Sequence, residues 1–347
     1  MNVLSLFNGI SAMHLALDRA EIEYGTVYYA EIDKYANQVT QQHYPQDISL
    51  GDVTKWREWG IDWASIGLVG AGFPCQAWSV AGKQLGDKDE RGMLFWTTLE
   101  IIANVLKHNP KAKFLMENVK MKKDFEQYIT HHTEQALGRV EKTLINSALV
   151  SAQNRQRYYW TNFEVTQPDD KGILIKDVIE NEPDEKYNIN IQALKTYTSD
   201  LGRVKGFKSI NDKSNCLTAS MHKGFGNDGC TVVFRPCELR ENSKPADSGL
   251  WHVANATDIK GHEQIKRVYS AEGKAPTLQT CGGGNSEPKI YAEQLKYRKL
   301  TPLECERLQT FPDDWTDCVS NTQRYKALGN AWTVDVIAHI LQCGFKS

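Results

Sequence analysis

The sequence predicts an α/β protein with a mixed, mostly parallel sheet and a second, smaller and irregular domain. Over the first 120 residues, short apolar runs alternate with amphipathic segments, the order of β-α units wound around a parallel sheet. From about residue 195 to 285 glycine becomes frequent and periodicity weakens, so long loops replace that order. A chain of 347 residues has room for both parts.

Strands are predicted at 2–7, 26–31, 67–71 and 113–117, where apolar runs end in a polar residue or a turn. Helices are predicted at 11–20, 35–44 and 93–106, the first with Ala12, Leu15, Ala16 and Arg19 near one face. The stretch NSALVSAQNRQRYYWTN at 146–162 reads as a strand, a basic loop and an aromatic-rich strand. Residues 168–190 carry seven acids, three lysines and two prolines, a solvated connector with an apolar, helix-like patch at 173–179. Helical periodicity returns at 301–310 and 335–343; Thr301 caps the former, with Pro302 at its first position and Glu304 three residues on. KSNCLTASMHKGFGN and KAPTLQTCGGGN form a faint internal echo, as consistent with shared hairpin chemistry as with duplication.

Composition narrows the function classes. Hydrophobic residues make up 41% and charged residues 24%, and 41 Lys plus Arg against 43 Asp plus Glu give a formal charge of −2. A uniformly basic coat is excluded; a local basic face is not. Two basic clusters stand out, 107–123 with six lysines and one glutamate and 195–223 with six basic and two acidic residues. No apolar run approaches the roughly 18 residues of a membrane span, and MNVLSLFNGI lacks a basic leader, so a cytoplasmic protein is expected. The eight cysteines contain no C-x-x-C pair, against a zinc site or a disulfide framework, and no metal is expected.

A parallel sheet collects ligands at the carboxyl ends of its strands. The first strand runs into Phe7-Asn8-Gly9-Ile10-Ser11, where glycine permits close backbone approach to a nucleotide. An ordinary tight turn fits that segment equally well, and G-x-G-x-x-G is absent. Glu31 ends the second strand, where an acid can accept ribose hydroxyls, and Asp52 follows Gly51 at a later strand or loop end. Acids at strand ends are also common on solvated surfaces; together with Phe7 as an apolar wall these two outline an adenosine pocket. Cys75 follows Pro74 on a loop after another strand, which exposes its sulfur, whereas most cysteines are packing residues. Glu117 ends the apolar strand FLMEN, where a desolvated carboxyl can stay protonated and donate a proton. Arg155 and Arg157 lie two apart, on one face of an extended stretch.

FNGIS, GFPCQAWS with VAGKQ and RGMLF, FLMENVK, QNRQR, RKLTPLECERLQTFPDDW and ALGNAWTV, in this order, resemble the cytosine carbon-5 DNA methyltransferase family of bacterial and bacteriophage type. The resemblance covers about the first 160 residues and the last 50, with a fainter match in KRVYSAEGKAPTLQTCGGG. It implies a Rossmann-like S-adenosyl-methionine-dependent methyltransferase domain, discontinuous over 1–165 and 298–347, and a target-recognition domain over 166–297. It implies Cys75 as the nucleophile on carbon 6 of a flipped cytosine, Glu117 on ring nitrogen 3 and the exocyclic amine, and Arg155 and Arg157 holding the base, Glu117 and phosphate. Around the cofactor it implies Phe7, Asn8, Gly9, Ile10, Glu31, Ile32, Asp52, Val53, Pro74, Asn330 and Ala331. Ser11 stands where the family's usual second glycine falls.

On the DNA side the resemblance implies Ser79, Gln84 and Arg91 of a closing loop, with Gln84 filling the vacated space. It also implies the Thr277-Leu278 pair and the glycine loop Gly282, Gly283 and Gly284. The implied partners are double-stranded DNA and a separately encoded restriction endonuclease, with a monomer on the DNA, no membrane, and S-adenosyl-homocysteine as the cofactor product. A tRNA-methylating branch shares these motifs, but its Cys-Phe-Thr element is absent between Gln153 and Lys299. A non-catalytic DNA-binding regulator of the same fold would not require Cys75.

Overall fold

The structure, a computed structural model, describes residues 1–74, 93–180, 183–184, 207–208, 213, 232–235, 252–255, 267–270, 289–291 and 296–346. Strand β1 (Asn2–Leu6) is buried on both faces, with Val3, Leu4 and Leu6 all at most 1% exposed, as a central parallel strand must be. It pairs in parallel with β2 (Val27–Ala30) on one side and β4 (Ile66–Ala71) on the other. The two-residue β3 (Ile48–Ser49) extends the sheet beyond β2, and β5 (Lys113–Val119) extends it beyond β4. Strand β7 (Gln156–Thr161) then inserts antiparallel between β5 and β6 (Glu141–Asn146), giving the order β3-β2-β1-β4-β5-β7-β6. The chain winds outward from β1 and then jumps back to β4, so a crevice opens at the carboxyl ends of these two strands.

The four strands predicted in the first 120 residues are found within a residue or two. The strand predicted at the start of 146–162 is instead a 3-10 turn, Ser147–Leu149, and the strand lies just upstream as β6. Asn146 turns the chain there: its side-chain oxygen accepts from the backbone of Ala148 at 3.1 Å and Arg155 at 3.0 Å.

Helices α1 (Ala12–Arg19), α2 (Lys34–His43) and α3 (Met93–His108) fall where periodicity places them. The buried face of α1 is Ala12, Met13, His14, Ala16 and Leu17, one step round from the predicted stripe. Helix α4 (Lys123–Leu137) follows β5, and its apolar stripe is too thin to mark it in the sequence. At the C-terminus come α5 (Pro302–Leu308), α6 (Asn321–Asn330) and α7 (Val334–Phe345). The predicted cap of α5 is present, Thr301 and Glu304 forming a reciprocal capping box with Pro302 inside the first turn.

One apolar cluster joins α1 to α7, including Met13, Leu17, Val336, Ile337 and Leu341; the other packs α3 on the opposite side with Phe95, Leu99, Ile102 and Phe114. The C-terminal segment is thus part of the first core. So are Ile175 and Val178, beyond the division predicted at 165/166, carried by a 3-10 turn at Ile175–Asp177.

Between 207 and 299 lie β8 (Phe207–Lys208), β9 (Val232–Arg235), β10 (His252–Asn255), β11 (Arg267–Ser270), β12 (Lys289–Tyr291) and β13 (Lys296–Lys299). They pair as two three-stranded sheets, β10-β11-β12 and β13-β9-β8. Among the described residues no helix is long and apolar enough to cross a membrane.

Candidate active site

The loop after β1 carries three left-handed backbone positions in five residues: Phe7 at φ 55°, Gly9 at 57° and Ser11 at 66°. Only glycine takes that conformation without steric cost, so Phe7 and Ser11 must be held in it by their surroundings. Ser11 is held by its hydroxyl, 2.8 Å from that of Thr40 and 3.2 Å from the Asn8 amide nitrogen, which donates to it. Asn8 also donates to Thr40 and accepts from Ser5, all in the interior. Its side chain therefore shapes the loop from behind. Ile10, 1% exposed, likewise turns inward, and its carbonyl accepts from the Trp315 indole at 3.0 Å. Above Gly9 the space is open: a Cβ placed there would meet nothing within 4 Å.

Glu31 sits just past β2. One carboxylate oxygen accepts the Gly9 N–H at 2.8 Å, and the other accepts those of Ile32 and Asp33, each at 2.8 Å. Its orientation is set by three backbone donors, and the acceptor site left over, on the oxygen that takes Gly9, suits a sugar hydroxyl. Ile32 is 77% exposed beside it, an apolar face with no cover from the described residues. Asp52 follows Gly51 (φ 71°), and one of its oxygens accepts from both the backbone and the hydroxyl of Thr54. Val53 is buried, and Pro74, three residues past β4, is half-buried. The donor set, the open space at Gly9 and exposed Ile32 fit an adenosine-like group.

Across the crevice, Glu117 on β5 is 8% exposed. Arg157 on β7 pairs with it diagonally across the strands, Nε to Oε1 at 2.9 Å. The other oxygen of Glu117 accepts from the Trp332 indole at 3.0 Å. Glu117 is thus engaged on both oxygens, not isolated in an apolar pocket as its sequence context suggests. Tyr159 lies opposite it on β7; burial first and then the Glu117 charge push its phenol well above the ordinary range, against the pull of Arg157 and Arg155. Arg155 precedes β7, is 4% exposed, and donates to the carbonyls of Gly329 at 3.3 Å and Ala331 at 3.0 Å. The two arginines are therefore not a simple same-face pair: Arg157 meets Glu117, and Arg155 ties down the returning C-terminus.

That return closes both sides. Asn330 ends α6 and Ala331 is buried. Gln309 donates to the carbonyls of Leu328 and Ala331, and Thr333 donates to Gln309 at 2.8 Å. On the Glu31 side, Lys326 pairs with Asp33 at 2.6 Å. Burial raises the Asp33 carboxyl, but Lys326 and the N–H groups of Tyr35 and Ala36 outweigh it and leave it below its ordinary value. Asn118 of the ENV segment donates to the Phe73 carbonyl at 3.2 Å, tethering β5 to the approach to Pro74.

Cys75, Ser79, Gln84, Arg91, Thr277, Leu278, Gly282, Gly283 and Gly284 lie outside the described residues, as does most of the internal echo. The lysine cluster at 107–123 divides: Lys107, Lys111 and Lys113 lie at the amino end of β5, and Lys120, Lys122 and Lys123 follow its carboxyl end, on the Glu117 side. Lys213, in the other basic cluster, directs its ammonium onto the backbone carbonyls of Ala148, Ser151 and Ile173. Trp332, Gln309, Trp315 and Lys326 were not singled out from the sequence. For Gln309, Trp315 and Trp332 the one signal is membership of the C-terminal motif blocks; Lys326 lies one residue ahead of ALGNAWTV.

A family model described as C-5 cytosine-specific DNA methylase matches residues 1–344. The chain is 28% identical to an orphan methyltransferase of Bacillus phage SPbeta, over 99% of this chain and 97% of that one. It is 29% identical to the type II methyltransferase M.NlaX of Neisseria lactamica (98% and 95%) and 28% to M.HhaI of Haemophilus parahaemolyticus (98% and 93%). Among solved structures, the Entamoeba histolytica methyltransferase EhMeth superposes with a TM-score of 0.69 at 16% identity, covering 100% and 98% of the two chains. A Spodoptera frugiperda DNMT2 variant gives 0.63 at 21%, covering 99% of each. At these identities the structural likeness speaks for the fold.

Proposed function

The chain belongs to the C-5 cytosine-specific DNA methylase family, and from that premise we propose how it works: it methylates carbon 5 of cytosine in a specific sequence of double-stranded DNA through a covalent Cys75 adduct. The observation that carries this reading is the pairing of two sites on one crevice. Glu31, with Gly9 and Ile32, offers a nucleoside cradle, and the Glu117–Arg157 pair offers a planar, charged edge for a base.

The methyl donor proposed for the cradle is S-adenosyl-methionine, whose sulfonium supplies an electrophilic methyl group and leaves S-adenosyl-homocysteine. Glu31 orients the ribose, Phe7 and Ile32 wall the adenine, Asp52 takes its amino group, and the Asn330-Ala331 segment closes the far side. The Cys75 thiolate forms a bond to carbon 6 as the carbon 5–carbon 6 double bond breaks, and the displaced pair passes into the ring. A proton that Glu117 takes up from water passes to ring nitrogen 3 and neutralises that charge, and the carboxylate left accepts from the exocyclic amine, with Arg157 holding Glu117. Carbon 5, now enamine-like, takes the methyl group; water, acting as base, then removes the carbon-5 proton, and the freed pair restores the carbon 5–carbon 6 double bond as the thiolate leaves carbon 6. A stacked base cannot reach these groups, so the cytosine is flipped out, with Gln84 filling the gap and the 79–91 loop closing.

In this reading 166–297 is the target-recognition domain, entered through the segment whose Ile175 and Val178 pack on the first core; Thr277, Leu278 and Gly282 to Gly284 approach the DNA, and Lys213 fastens it beside the loop that bears Arg155. The protein acts as a cytoplasmic monomer. Its proposed partner, besides DNA, is a separately encoded restriction endonuclease.

The test is incubation with tritiated S-adenosyl-methionine and, separately, duplex DNA and tRNA. Label in duplex DNA is expected; label in tRNA alone overturns the reading. Duplex DNA carrying 5-fluorocytosine is expected to trap the protein covalently, and a trap that survives Cys75→Ser removes the assigned nucleophile.

A further inference from the structure

We propose that Trp332 is the positioning residue of the base site: its indole N–H holds Glu117 in the orientation from which that carboxylate meets cytosine. The inference rests on the function proposed above and adds to it a side chain with no assigned role there.

The geometry leaves the indole little freedom. Its Nε1 donates to Glu117 Oε2 at 3.0 Å while Arg157 Nε takes Oε1 at 2.9 Å. A glutamate carboxylate turns easily about its last torsion, and a single donor on one oxygen leaves that rotation open. Two donors, one on each oxygen, fix its plane.

The indole is itself fixed from two directions. Its ring rests on the bare backbone just past β4: a Cβ added at Gly72 would fall 2.7 Å from Trp332 Nε1 and 3.1 Å from Cε2 and Cζ2. Its main chain is pinned by its neighbours. The Ala331 carbonyl accepts from Arg155 at 3.0 Å and Gln309 at 3.2 Å, and the Thr333 hydroxyl donates to Gln309 and lies 2.8 Å from the Ser147 hydroxyl. Trp332 also follows directly on the Asn330-Ala331 segment proposed for the cofactor. The same stretch of chain thus places one residue toward each ligand, and Trp332 acts on the base side through Glu117.

The experiment isolates the step at which Glu117 acts. Duplex DNA tritiated at carbon 5 of cytosine is incubated with the protein and S-adenosyl-homocysteine. Addition of the thiolate to carbon 6, uptake of a solvent proton at carbon 5, loss of the triton from that carbon and expulsion of the thiolate release tritium to water without methyl transfer. Trp332→Phe keeps an aromatic ring and removes the donor. Its release rate is expected to fall about tenfold to a hundredfold, the loss of a hydrogen bond to a charged group, with the affinity for S-adenosyl-homocysteine, measured by calorimetry, within about twofold.

Gly72→Ala displaces the indole without altering it and is expected to give the same loss, and the double variant no further loss. If Trp332→Phe does not fold, Gly72→Ala decides alone. Unchanged release in the variants, or a fall in S-adenosyl-homocysteine affinity proportional to the fall in release, overturns the assignment. No release by the unaltered protein would instead overturn the proposed function itself.

Discussion

Glu31 and Glu117 are both acids at the carboxyl end of a parallel strand, yet they are held by different means. Glu31 takes three backbone N–H groups, from Gly9, Ile32 and Asp33, all within 22 residues of it. Glu117 takes two side chains, Arg157 from an antiparallel strand and Trp332 from 215 residues away. The Glu31 side, proposed for the cofactor, is therefore a local construction of turn geometry, and its donors survive most side-chain changes. The Glu117 side, proposed for the base, is a tertiary construction in which each group depends on another element staying in place.

Substitutions on the two sides should separate this difference. The largest effect is expected for Glu117→Gln, which keeps the shape and removes the charge. The turnover rate should fall about a hundredfold to ten-thousandfold, while cofactor affinity, measured by calorimetry, stays within about twofold. Equal losses in both would mean that the two sides are not distinct.

Next is Arg155→Ala. It removes the Arg155 donor from the buried Gly329 carbonyl and leaves that of Ala331 with Gln309 alone, at about 1–3 kcal/mol for an unsatisfied group. Urea unfolding should report a loss of about 1–3 kcal/mol. An unchanged midpoint would show that the C-terminal return does not rely on this side chain.

Glu31→Ala should weaken cofactor binding about tenfold to a hundredfold, with turnover largely recovered at saturating cofactor. A loss that saturation cannot restore would place Glu31 in the chemistry.

The smallest effect belongs to the Lys326–Asp33 pair on the cofactor rim. Its carboxyl is lowered in the folded chain, so it adds stability above its ordinary titration range, and that contribution is lost as pH falls through the lowered value. Lys326→Met should cost about 0.5 kcal/mol near pH 7 and nothing once Asp33 is protonated. A cost that persists in acid would mean that Lys326 acts by packing.

These contrasts follow what could be read along the chain. Strands β1, β2, β4 and β5 were legible because a strand buried on both faces is an unbroken apolar run. The start of α5 was legible because Thr301, Pro302 and Glu304 carry their own capping chemistry. Helices α4 and α6 were not, since each shows the core only a thin stripe: Glu126, Ile129 and Thr133 in one, Tyr325, Leu328 and Gly329 in the other. Strand β6 was misplaced by a few residues, because the capping of the next turn by Asn146 leaves no periodic mark. Glu117 and Arg157 could be named as candidates. That they meet, and that Arg155 departs to the C-terminal carbonyls, depends on the β5–β7 pairing, which spacing along the chain does not encode.

The sequence by itself determined the order of the β-α units, the polar residues at the strand ends and the motif blocks that carry the family resemblance. These are local properties, written in periodicity, turn residues and contiguous segments. The tertiary structure decided which donors reach Glu117, where Arg155 spends its guanidinium and how Ser11 tolerates a left-handed backbone. It also decided why Asn8 turns inward. Each of these is an interaction with a partner brought near by the fold, and a buried polar group is satisfied by whatever lies within hydrogen-bonding distance, not by what lies nearby in the chain.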